Sequence, residues 1–165
     1  PSHAPTMFRG LRLDAYSLDL PEEGGQLGDR ASHQAFDAIL AKWRRKARRG
    51  PGGDPFGPQP DAPVERETLD EALTGGAPEA AGIVQGALED YAGALAAVVR
   101  RFLLLPQWHG TQRVLIGGGL RSARIGEVAV GRAAALLRAE GLGVRLAPIR
   151  HDPDEAGLIG AARLV

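Results

Sequence analysis

Apolar residues recur along this chain with two periods, and the period changes wherever glycine or proline interrupts it. Over 11–20, "LRLDAYSLDL", they alternate at Leu11, Leu13 and Ala15, then shift phase to Tyr16, Leu18 and Leu20. That predicts a strand with a bulge or at a sheet edge, ended by the turn "PEEGG". Over 32–49, Phe36, Ile39, Leu40, Trp43 and Ala47 fall on one helical face, with Asp29 or Ser32 as the cap and Gly50 as the stop. Residues 50–63, "GPGGDPFGPQPDAP", hold too much proline and glycine for a packed element and read as a linker or exposed loop. A short acidic helix follows over 65–73, closed by Gly75 and Gly76.

The longest pattern starts at Pro78, placed as a first helical residue, and continues through Ile83, Val84, Ala87, Leu88, Tyr91, Leu95, Val98, Val99 and Phe102. It predicts one helix reaching nearly to Pro106, the spine of the core. Gly82 and Gly86 lie on the same side of it, one turn apart. Each costs roughly 1 kcal/mol against alanine and permits close backbone packing. Beyond it the chain reads as a buried strand over 114–116, a glycine turn, a helix over 126–140 stopped by Gly141, a second strand over 144–149 and a closing helix over 155–164. Strands alternating with helices predict an α/β layer with parallel pairing.

Composition narrows the class. At 165 residues with 44% hydrophobic content the chain can bury one sizeable core. Twenty basic and twenty acidic residues cancel, so no global field draws it toward nucleic acid or an anionic membrane. The run "KWRRKARR" places six cations in eight residues, and the reading preferred here is a solvated helix end, where cations suit the dipole, over a phosphate or nucleic-acid patch. Cysteine is absent, which excludes disulfides, thiolate metal sites and thiol nucleophiles and makes a reducing cytoplasm the simplest compartment. No apolar run has the length of a membrane span, and "PSHAPTMFRG" lacks the apolar core of a signal peptide. The chain opens on Pro1 and stops at Val165 directly after a helical pattern, and it reads as a fragment.

Candidate chemistry concentrates at "RVLIGGGLRSARIGE". A strand that enters glycines and leaves into a helix lets backbone N–H groups approach an anion or a flat ring with no Cβ in the way. The dinucleotide fingerprint would need glycine at Ser122, and a phosphate loop would need Gly-Lys-Ser/Thr near Arg124; neither is met. The glycines alone leave a ligand cradle and a simple tight turn equally open. Ser122 reads equally as a ligand-facing residue or as a cap for the next helix. His151, Asp152, Asp154 and Glu155 crowd together like metal ligands, yet Asp152 as cap, Pro153 at the first helical position and Glu155 three residues after the cap make a helix start. His33 and His109 stand apart from any nucleophile pattern and read as surface or packing residues.

Four segments carry a resemblance. "VLIGGGLRSARIGE", followed about two dozen residues later by "DEAGLIGAARL", resembles the ending of ROK-family proteins, which are sugar kinases and sugar-sensing repressors on the actin-like ATPase fold. "PEAAGIVQGALEDYAGALAAVVRRFLLL" is similar to the helix before that strand, and "GDRASHQAF" to the segment that opens the subdomain. The likeness covers about 28–165, with 1–27 as an N-terminal strand and turn. It implies one lobe of a ribonuclease H-like fold, with a long core helix and short parallel strands. It also implies that Gly117, Gly118, Gly119, Leu120 and Ser122 line the base and ribose of ATP, with Mg2+ joining in the complete protein.

The departures bear on activity. The family's Asp-x-Gly-Gly-Thr phosphate motif, its second phosphate motif, its sugar-facing aspartate and its Cys-rich zinc motif are all absent, so no catalytic or metal-binding residue is assigned. The resemblance therefore implies the adenosine-side lobe of a circularly permuted or truncated member, inactive by itself and able to engage sugar only with the missing lobe. The alternative is a non-catalytic sugar-sensing regulator of the same fold. Adenine nucleotide is the expected partner; a membrane and nucleic acid are not, and homo-oligomerisation is left open.

Overall fold

The computed structural model describes residues 7–8, 11–12, 20–23, 25–120 and 123–149. The chain folds as mixed α/β. Two short antiparallel pairs come first: β1 (Met7–Phe8) with β2 (Leu11–Arg12), and β3 (Pro21–Glu22) with β4 (Gly25–Gln26). The predicted strand over 11–20 is thus described only at its two ends, and beyond it Pro21 pairs with Gln26 and Glu22 with Gly25. A 3-10 turn, Leu27–Ala31, leads into α1 (His33–Ala47); then follow α2 (Arg66–Gly75), α3 (Pro78–Leu103), β5 (Arg113–Ile116), α4 (Arg124–Ala139) and β6 (Arg145–Pro148).

Helix α3 is the spine. Its inward positions alternate small and large side chains, among them Ala80, Ile83, Val84, Ala87 and Leu88, all buried. The alanines let neighbouring helices approach, while each fully buried aliphatic side chain contributes roughly 1.5–3 kcal/mol. Helices α1, α2 and α4 all pack on it. Between the two candidate caps of α1, Ser32 takes the role by accepting from the Ala35 N–H at 3.1 Å. The Asp29 carboxylate instead accepts from Gln26 N–H at 2.8 Å inside the preceding turn.

Strands β5 and β6 pair in parallel, Val114 opposite Leu146 and Ile116 opposite Pro148, with α4 as the crossover between them. Gly141, at φ 83°, takes the left-handed stop after α4.

Three expectations are corrected. Strand β5 is buried on one face only: Val114 and Ile116 turn toward the core, whereas Leu115 is 59% exposed, because no described element covers the other face. Gly82 is exposed, with open space where a Cβ would stand, and Gly86 receives the Trp43 ring at 2.6 Å from its would-be Cβ. The packing is therefore glycine against indole and not backbone against backbone. Finally, the cations of α1 do not all belong to a solvated face, since the side chain of Arg44 is buried. The helix expected over 155–164, with Asp152 as its cap, lies outside the described residues.

Candidate functional site

Strand β5 delivers the chain into the glycines with its register fixed, because Ile149 N–H donates to Ile116 O at 2.9 Å just before them. Gly118 adopts φ 103°, a conformation that side-chain-bearing residues rarely take, and this reverses the chain toward α4. Leu120 then buries its side chain, and its carbonyl accepts from Ala123 N–H at 3.3 Å. The first turn of α4 lies so close on this carbonyl that a Cβ at Gly126 would overlap the Leu120 oxygen.

The other two glycines answer to neither constraint. A Cβ at Gly117 would meet Ile149 at 3.8 Å, and one at Gly119 would meet His33 at 3.5 Å, both ordinary contacts. Neither has the positive φ that excludes side chains. The fold needs one glycine here and has three.

All three line a cavity of about 170 Å³. Its floor is apolar, made by Ile116, Leu120, Val130 and Pro148. The start of α1 and Tyr91 of α3 complete the lining. Two of the polar groups there are engaged within the fold. The Tyr91 hydroxyl donates to Ala31 O at 2.7 Å, and burial raises its pKa above the ordinary 10.0 despite the opposing pull of the Arg66 guanidinium. Ser32 Oγ donates to Asp29 O at 2.8 Å while capping α1. His33, the first residue of α1, is exposed and rests its ring against Gly119.

The positive end of α4 is already occupied. Both carboxylate oxygens of Asp70, from α2, accept from its first N–H groups, Arg124 N and Ile125 N, each at 2.8 Å. This cap satisfies two orphan donors and places a negative charge on the helix dipole. A phosphate could bind there only by displacing it. Such a turn presents glycine backbone and apolar floor to a ligand, which suits a flat ring better than an anion.

Of the residues that the resemblance implies for the nucleotide, Gly117, Gly118, Gly119 and Leu120 all line this cavity. Ser122 lies outside the described residues, as do His151, Asp152, Asp154 and Glu155. Among the described residues no group of three or more His, Asp or Glu side chains could hold a metal ion. No helix of the described residues is long and apolar enough to cross a membrane.

Sequence reasoning missed two residues that line the cavity and the residue that caps the helix beside it. Tyr91 was legible as core through its helical period, but its role as a pocket wall was not. His33 carried no local signal. Asp70 caps a helix that begins 54 residues later, so no spacing motif could mark it. Compared with family models, with curated proteins and with solved structures, the chain matches none.

Proposed function

We propose that the chain is the nucleotide-side lobe of a ROK-type, actin-like ATPase. In a complete protein it would hold the adenosine of ATP while the γ-phosphoryl group passes to a hexose hydroxyl. The carrying observation is the surplus of glycine: Gly117 and Gly119 line an apolar pocket, yet neither conformation nor space requires them to lack a side chain. A nucleoside lying against the backbone would require it. The Asp70 cap supports the same division of labour, since it leaves this turn to the base and ribose and the phosphates to groups elsewhere.

Phosphoryl transfer depends on positioning, metal and charge stabilisation, and the motifs that supply them in the resembled family are missing from this sequence. In this reading Mg2+ and the sugar are held by another lobe, and the compartment is the cytoplasm.

The test is calorimetry with a non-hydrolysable ATP analogue on the chain and on Gly119→Val. The parent should bind, and the folded variant should bind at least about tenfold more weakly, because added methyls crowd the rim beside His33. Equal affinity in both would remove the cradle, as would absence of binding by the parent. In a coupled assay over several hexoses the chain alone should show no turnover; an ordinary kinase rate would overturn the assignment of chemistry to another lobe.

A further inference from the structure

The pocket at the glycine turn joins two distant parts of the chain, and the contact that joins them at the rim is between His33 and Gly119. The Cβ and Cγ of His33 lie 3.5 Å, and its Nδ1 3.8 Å, from the point where a Gly119 Cβ would stand. Imidazole and glycine backbone therefore form one continuous wall. The groups beside it are engaged within the fold: Ser32 Oγ with Asp29 O and Ala35 N–H, and the Tyr91 hydroxyl with Ala31 O. The remaining lining side chains, among them Ile116, Leu120, Val130 and Pro148, are apolar. His33 makes no side-chain hydrogen bond to another described residue. One imidazole nitrogen accepts and the other donates when the ring is neutral, a combination suited to a heterocycle edge or a ribose hydroxyl.

We infer that His33 is a specificity-determining residue of this pocket, contacting the base or ribose of a bound nucleoside and not its phosphates. The inference rests on the nucleotide-binding reading above and adds to it a residue from a distant part of the chain. Two features make the contact nucleosidic. The wall that His33 completes faces an apolar floor, where a ring packs and a phosphate would be desolvated without compensation. In addition, the anion-favouring end of α4 at this turn is filled by Asp70. A pocket with one directional polar group over an apolar floor orients a ligand through that group and gains most of its binding from burial.

The ligands for the test are adenosine, ADP and a non-hydrolysable ATP analogue, titrated into the chain and into His33→Leu and His33→Gln. His33 is exposed, and circular dichroism of each variant verifies that the helix it begins is intact. His33→Leu should weaken all three ligands by a similar factor, on the order of tenfold, the size of one directed hydrogen bond. His33→Gln, which keeps a donor and an acceptor, should recover part of the loss. A loss that grows from adenosine to ATP would overturn the inference by placing the imidazole on the phosphates. Unchanged affinities in His33→Leu would overturn it as well, while leaving the glycine cradle standing. Failure of the parent chain to bind any of the three would overturn the cradle itself.

Discussion

The loop over 54–62 turns four carbonyls inward onto one arginine, whereas the turn over 117–120 leaves its backbone facing a cavity. In the first, Arg44 Nε donates to Asp54 Oδ2 at 2.9 Å, Nη1 to Pro60 O and Ala62 O at 3.1 and 2.7 Å, and Nη2 to Phe56 O and Gln59 O at 3.2 and 2.9 Å. A guanidinium has five N–H groups, and all five are used. The arginine and aspartate side chains are 2% and 1% exposed. Both segments are rich in glycine or proline and both run between helices or strands. They differ in what completes them. The first loop has taken a side chain of the preceding helix as the group its carbonyls surround, so those four carbonyls already have their donors. The second is completed by nothing the described chain supplies, and that asymmetry is the physical reason for proposing a binding site there.

The comparison breaks most easily at Arg44. Arg44→Ala leaves Asp54 buried without its counter-charge and four carbonyls without donors, and breaking a buried pair from one side costs about 3–5 kcal/mol. Urea unfolding should show a loss of that size, and limited proteolysis should cut within 54–62 while the parent resists. A loss under about 1 kcal/mol with unchanged cleavage would mean that the loop is held by something other than the arginine.

How legible this was in the sequence depended on the range of each interaction. The α3 helix and the pairing of β5 with β6 follow from apolar period and from punctuation by Pro78, the glycines and Gly141, all local signals. Arg44 was hidden in a run of like residues. Nothing in "KWRRKARR" distinguishes the one arginine aimed inward from those left in water, because the distinction is made by carbonyls 12 to 18 residues away. The same holds for His33 and Asp70, which reach the cavity and the start of α4 only through the tertiary fold. The glycines were legible as a group, but their separate roles were not: Gly118 serves the turn, Gly126 serves the helix packing, and Gly117 and Gly119 serve neither.

Gly126 sharpens the comparison from the other side. In most helices Gly→Ala stabilises by up to about 1 kcal/mol, and Gly82→Ala, on the exposed side of α3 with open space around it, should do so. Gly126→Ala should do the reverse, because its methyl would overlap the backbone oxygen of Leu120 and α4 would have to move off the turn. A net loss of about 1–3 kcal/mol, the range for overpacking, is expected by chemical denaturation. Two stabilised variants would show that α4 and the turn are not in fixed contact.

Asp70→Ala carries the smallest effect and bears most directly on why this turn is read as a cradle for a nucleoside. Removing a capping carboxylate costs about 0.5–2 kcal/mol, here from the N–H groups of Arg124 and Ile125 that it now accepts. The vacated helix end regains unsatisfied donors and an unneutralised positive dipole, the combination that binds anions. Sulfate at constant ionic strength should therefore raise the melting temperature of Asp70→Ala more than that of the parent, restoring part of the loss. Equal responses would mean that the helix end was never available to an anion, with or without the carboxylate. In that case the proposed preference of this turn for a nucleoside over a phosphate would have to come from the glycines and the apolar floor alone.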